Sequence, residues 1–166
     1  MTNVKTIFSI TFLFGSFIAT GQTDLTKIAD SVAYSIDKDT TLNAKLITLD
    51  TLHSAYGGLV KTEATFLAYT DTKTNQLHKI VWNNQGNYYA FVTIYYNNGA
   101  AIKGQIKAKY RRTDTNPEFE TNSVFYYQND KVVKEIEING TDFRANGFWY
   151  LSTINDFIVL AGLKTK

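Results

Sequence analysis

The sequence predicts an α+β fold: an antiparallel meander of five to seven strands, an N-terminal helix packed on one face and a C-terminal helix. Three observations lead there. Aromatic residues make up 14% of the chain, with 11 Tyr, 11 Phe and 2 Trp, and this composition favours strands. Asn98-Gly99 separates two β-rich runs, ending at Asn97 and starting at Ala100. That pair suits a type I′ turn, where both central residues need positive φ. Helical periodicity appears over Asp24–Asp37 and competes with a strand pattern over 146–163.

At 166 residues the chain is long enough to bury a core as one domain. A single proline and 19% charged residues argue against a long disordered segment. The formal net charge of +2, without a long basic block, gives no footprint for nucleic acid. Residues 1–21 read as a signal peptide. Lys5 supplies the positive start, Ile7–Ile18 the apolar run, and Ala19-Thr20-Gly21 the small residues of a cleavage site. That run is shorter than the roughly 20 residues a spanning helix needs, so no membrane span is expected in the mature chain. Residues 22–166 form the expected single domain, periplasmic or secreted. Cysteine is absent, which excludes a lipid anchor on a processed N-terminal cysteine, disulfides and thiolate zinc sites.

Taken in order, Leu25, Ile28, Ala29, Val32 and Ile36 form one apolar stripe on the first helix, with Thr23 or Asp24 as its cap. Leu42–Leu52 is β-like, though Leu46-Ile47 and Leu49 break strict alternation, and Gly57-Gly58 marks a turn. Val60–Tyr69 and Leu77–Asn83 follow as strands, joined by the polar turn Thr70–Gln76 and closed at Asn84-Gln85-Gly86. The Asn98-Gly99 hairpin supplies two more. After a loop over Thr113–Thr121, the strands Asn122–Gln128 and Lys131–Asn139 turn at Asn129-Asp130. Successive strands with short connections give a meander. For 146–163, length favours a helix, whereas the β-branched and aromatic content favours a hairpin turned at Asn155-Asp156. The helix is the reading adopted.

One unit repeats. Tyr95-Tyr96-Asn97-Asn98-Gly99 with Ile102-Lys103 recurs 31 residues later as Tyr126-Tyr127-Gln128-Asn129-Asp130 with Val133-Lys134, and Val81-Trp82-Asn83-Asn84 is a weaker third copy. These hairpins resemble those of small exported bacterial proteins of unknown function and, more distantly, the MORN-like repeats of certain antitoxin-type proteins. The resemblance covers roughly residues 80–138. It implies a curved antiparallel sheet with helices on one face and brings no activity with it.

Counting outward from Asn98-Gly99 pairs Tyr95 with Ile102, Thr93 with Gly104, Phe91 with Ile106 and Tyr89 with Ala108, an apolar side expected to face the core. The other side pairs Ile94 with Lys103, Val92 with Gln105, Ala90 with Lys107 and Tyr88 with Lys109, and Arg111 continues it. This basic strip is either a solvated face, its lysine stems lying on aliphatic neighbours, or a surface for an acidic partner.

Catalytic signatures are not found. His53 and His78 lack metal-ligand spacing, Glu118/Glu120 and Glu135/Glu137 read as solvated charges, and Asn139-Gly140-Thr141 reads as a turn. No cofactor or metal is expected. The leading expectation is an exported, non-catalytic binding or inhibitor-like module. It would hold its partner, an envelope or secreted protein or an acidic glycan, on an open sheet face through Trp82, Tyr88, Lys103, Lys107, Lys109 and Arg111. Two alternatives stand beside it: a small-ligand carrier or enzyme with a helix–sheet pocket, and a structural envelope component that self-associates through a strand edge.

Overall fold

The computed structural model describes residues 24–55, 58–85, 88–110, 119–140 and 147–165. The expected signal peptide, Arg111, Glu118 and the loop around Pro117 lie outside them. Helix α1 (24–38) precedes seven strands: β1 (Asn43–Ala55), β2 (Gly58–Thr70), β3 (Leu77–Gln85), β4 (Tyr88–Asn97), β5 (Ala100–Tyr110), β6 (Phe119–Gln128) and β7 (Lys131–Gly140). Helix α2 (Gly147–Leu160) closes the chain. The strands form one antiparallel sheet in sequence order, so the α+β meander is the fold of this chain and the tail is a helix.

The tight turns at Asn98-Gly99 and Asn129-Asp130 pass through the left-handed region. Asn98 and Gly99 have φ of 49° and 81°, and Asn129 and Asp130 have 52° and 58°. These are the values a type I′ turn demands, and Asn and Asp tolerate them. The third polar turn is held by Asp71, whose Oδ1 accepts from the backbone N–H groups of Lys73 and Thr74 and from the Thr74 hydroxyl. These bonds, with the Thr74 backbone contribution first, hold the Asp71 carboxyl below its ordinary range.

The expected register of the central hairpin is off by one residue. Tyr96 pairs with Ala101, but Tyr95 pairs with Lys103, so Ile102 is an inserted residue in a β-bulge. Every pair beyond it therefore shifts: Thr93 faces Gln105, Val92 faces Ile106 and Ala90 faces Ala108. The sides of β4 exchange roles accordingly. Ala90, Val92, Ile94 and Tyr96 enter the core with Ile106 and Ala108, whereas Phe91 and Tyr95 share the face of Lys103, Lys107 and Lys109.

The core lies between the sheet and α2. Tyr150, Leu151, Ile154, Phe157 and Ile158 form the buried stripe of α2, at i, i+1, i+4, i+7 and i+8. Phe157 stacks on Phe66 at 5.6 Å and meets Trp82 edge-on at 5.4 Å. Burying side chains of this size contributes about 1.5–3 kcal/mol each, so α2 is fastened mainly by apolar packing. Its first residue must be small, because a Cβ on Gly147 would lie 2.3 Å from the Phe125 ring. The Gly147 carbonyl accepts the buried Tyr127 hydroxyl at 3.0 Å. At the far end Gly162, φ 63°, reverses the chain, with Gly162 N–H donating to Val159 and Leu163 N–H to Ile158.

Helix α1 lies on the opposite face, and Ala29, Val32 and Ile36 of its expected apolar stripe face the sheet while the stripe's other two members do not. Thr26, Ala29, Ala33 and Ile36 are buried and Val32 is half-buried. Leu25 and Ile28 are exposed, Ile28 at 57%. Small residues face the sheet because the strands beneath carry long tyrosines and lysines, which leave little room for larger ones.

Candidate functional site

The face beneath α1 carries an ordered row. Tyr69 pairs with Lys79, Lys79 with Tyr95, Tyr95 with Lys103, Lys103 with Tyr126 and Tyr126 with Lys134, crossing β2 to β7 without a break. Three bulges at equivalent places bring this about. The inserted residues are His78, Ile102 and Val133, each just before the lysine that answers a tyrosine. An unbulged hairpin would pair Tyr95 with Ile102, and the row would be lost.

Two α1 carboxylates are seated on that row. Asp37 binds Lys79 Nζ at 2.9 Å and accepts the Tyr95 hydroxyl at 2.9 Å. Asp30 binds Lys103 Nζ at 2.7 Å and accepts the Tyr126 hydroxyl at 3.0 Å. Seven helical residues rise about 10.5 Å and two strand spacings span about 9.6 Å, so a helix laid across the strands meets alternate strands with one carboxylate each. Burial raises the Tyr126 phenol to about 12, helped by the hydrogen bond to Asp30 and by its charge. Tyr95 rises further, again by burial first and Asp37 second. Lys79 also sits 4.2 Å from the Tyr69 ring centre, a cation–π contact. Both carboxylates remain partly exposed, so each ion pair contributes at most about 1 kcal/mol. Their effect is to set where α1 lies rather than to hold it strongly.

Beyond this row the same face is left partly open among the described residues. The next row runs Leu46, Leu67, Val81, Thr93, Gln105, Val124 and Ile136, one residue from each strand. Leu46 and Ile136 are exposed at 64% and 40%, and Leu67, Val81 and Val124 are half-buried. One row further, Asn83, Phe91, Lys107 and Asn122 are neighbours in turn. Phe91 is 37% exposed, and Ile138 on β7 is exposed beside this end. The Asn122 side-chain oxygen is buried without a hydrogen-bond partner, an uncommon state for a native polar atom.

The residues anticipated as a site are therefore divided. Lys107 and Lys109 are exposed on the open band, Lys109 opposite Glu120. Lys103 is drawn under α1 by Asp30. Trp82 is a core residue on the α2 side, 5% exposed. Tyr88 pairs with Tyr110 at the end of the central hairpin, but its side chain, like that of His53 and all of Arg111, lies outside the described part of the structure. Phe91, Val81, Val124 and Ile136 are additions. They became visible only once the bulges fixed which residues share a face.

Around α2, Phe66, Trp82, Tyr150, Ile154 and Phe157 pack together between helix and sheet. No group of three or more His, Cys, Asp or Glu side chains able to hold a metal occurs among the described residues. No helix there is long and apolar enough to cross a membrane. Compared with known protein families, with curated proteins and with solved structures, the chain finds no match.

Proposed function

We propose that this chain is an exported, non-catalytic binding module that holds a partner protein on the open band beside α1. The observation that carries the reading is the band itself: Leu67, Val81, Val124 and Ile136 partly exposed on either side of Thr93 and Gln105, bordered by Phe91, Lys107 and Lys109. Contiguous exposed apolar surface rimmed by polar groups marks interaction sites. Seven paired strands supply a rigid platform, and rigidity lowers the cost of ordering on binding.

The character of the partner follows from α1. This face already accepts one helix whose contact stripe is small and apolar and whose flank carries carboxylates answering lysines on the strands. A partner surface of the same kind, apolar and edged with Asp or Glu, complements the band and Lys107. Charge complementarity of this type steers encounter and suppresses wrong partners.

The test places a photo-crosslinking residue at Phe91 and, separately, at Ser152 on the outer side of α2, in cells exporting the protein. A crosslinked partner is expected at Phe91, absent at Ser152, and abolished by Lys107→Glu with Lys109→Glu. Crosslinking that survives both charge reversals, or that is equal at the two positions, overturns the proposal.

A further inference from the structure

The two edges of the sheet are unlike. Strand β7 is guarded: two bulges interrupt its pairing with β6, and Lys131, Lys134, Glu135 and Glu137 are distributed along it. Bulges and charges of this kind prevent a strand edge from acting as a template. Strand β1 is less protected. Its thirteen residues pair with β2 in one unbroken register, without a bulge or a proline. Lys45 and Asp50 are its only Lys, Arg, Asp or Glu residues. At about 3.4 Å per residue it offers an edge roughly 44 Å long. Among the described residues no strand pairs with its outer side.

From this contrast we infer that β1 pairs antiparallel with β1 of a second copy of this chain, joining two sheets into one of fourteen strands about a two-fold axis. Opposed residues of an antiparallel pair point to the same face, so a two-fold axis at Thr48 sets Ile47 of one copy against Leu49 of the other. The pairing also covers Leu46, the most exposed large apolar residue of the sheet among the described side chains, and extends the half-buried Ile47 and Leu49 toward their counterparts. The assembly closes. A β1–β1 contact is isologous, and it leaves only the two guarded β7 edges outside, so pairing stops at two copies. The alternative of joining β1 to β7 would be head-to-tail and open-ended, and the bulges and charges of β7 oppose it.

The ladder indicates where to intervene. Counting from the closing pair Ala55–Gly58, odd-numbered residues of β1 direct their backbone groups to β2, and Ala44, Leu46 and Thr48 direct theirs outward. Thr48→Pro therefore removes an outward N–H and leaves the β1–β2 bonds in place, and Leu46→Lys adds a charge at the same edge. The experiment is light scattering on the purified protein over a wide concentration range, with circular dichroism to monitor folding. The parent is expected at twice the monomer mass. Leu46→Lys and Thr48→Pro are expected at monomer mass with the parent spectrum, and Ile136→Lys on β7 is expected to remain dimeric. If Thr48→Pro misfolds, Leu46→Lys carries the test by itself. A parent that is monomeric at every concentration, that grows into open-ended polymers, or whose dimer is broken by Ile136→Lys but not by Leu46→Lys overturns the inference.

Discussion

Adjacent tyrosines in this chain do opposite work. In Tyr95-Tyr96 and Tyr126-Tyr127, the copies that precede the tight turns, the first ring rises toward α1 and donates its hydroxyl to a carboxylate, and the second is buried on the α2 side. Both environments favour the neutral phenol, so both raise its pKa. The linkage runs one way. A tyrosine whose folded pKa lies above its unfolded value near 10 contributes stability that is complete below pH 10, and that stability is lost as pH rises through the folded value, about 12 for Tyr126. Phenolate absorbance is therefore expected to rise late, with part of the increase coinciding with alkaline unfolding. Asp30→Asn removes the charge and weakens the hydrogen bond that assist burial at Tyr126, and should move that fraction to lower pH. Superimposable curves for the parent and Asp30→Asn would show that the carboxylate has no such influence. The tyrosine pairs were legible as a repeated hairpin. Their division between two faces was not, because alternation alone does not say which side is core when both sides are covered in part.

Among the elements, α1 shows how counting apolar residues can turn a face partly out of place. The stripe of Leu25, Ile28, Ala29, Val32 and Ile36 has the right period, and Ala29, Val32 and Ile36 do meet the sheet. The large Leu25 and Ile28 are left exposed, although burial of large side chains ordinarily decides such matters. Here the sheet surface decides. Room above the tyrosine–lysine row admits Ala29 and Ala33, and the spacing of Asp30 and Asp37 fixes the rotation. Ala33→Leu is accordingly expected to lift the helix and to lower stability by about 1–3 kcal/mol, as overpacking does. Ile28→Ala, at the exposed position, should stay within about 0.5 kcal/mol of the parent. Urea unfolding with unchanged slope measures both, and a costly Ile28→Ala beside a harmless Ala33→Leu would restore the stripe that periodicity indicates. The hairpin register failed for a related reason. Asn98-Gly99 identifies the turn, but nothing in Ile102-Lys103 by itself distinguishes a bulge from a regular start to the return strand. The same apolar-Lys pair after Asn129-Asp130 was the available signal, since both copies carry the insertion at that place.

For the molecule as a whole, strand order was legible because most of the turns are short and a short turn joins neighbours. Which face stays open was not, since that depends on where two helices settle and on three inserted residues that determine the row beneath one of them. Stability should be distributed accordingly. β4 and β5 have paired strands on both sides and α2 against them, so their amides are expected to exchange only through global unfolding, while β7, with one neighbour and two bulges, exchanges through smaller openings. Hydrogen exchange resolved by residue checks this, and slower exchange in β7 than in β4 would reverse the assignment. The carboxylate spacing on α1 has a consequence for how such a chain could change in length. Two strands occupy about 9.6 Å and seven helical residues about 10.5 Å, so helix and sheet act as two rulers whose marks drift by about 1 Å per hairpin. Gaining or losing one hairpin would therefore oblige the helix to gain or lose seven residues in step. Over many hairpins the marks would no longer coincide, which sets an upper size for any protein built to this plan.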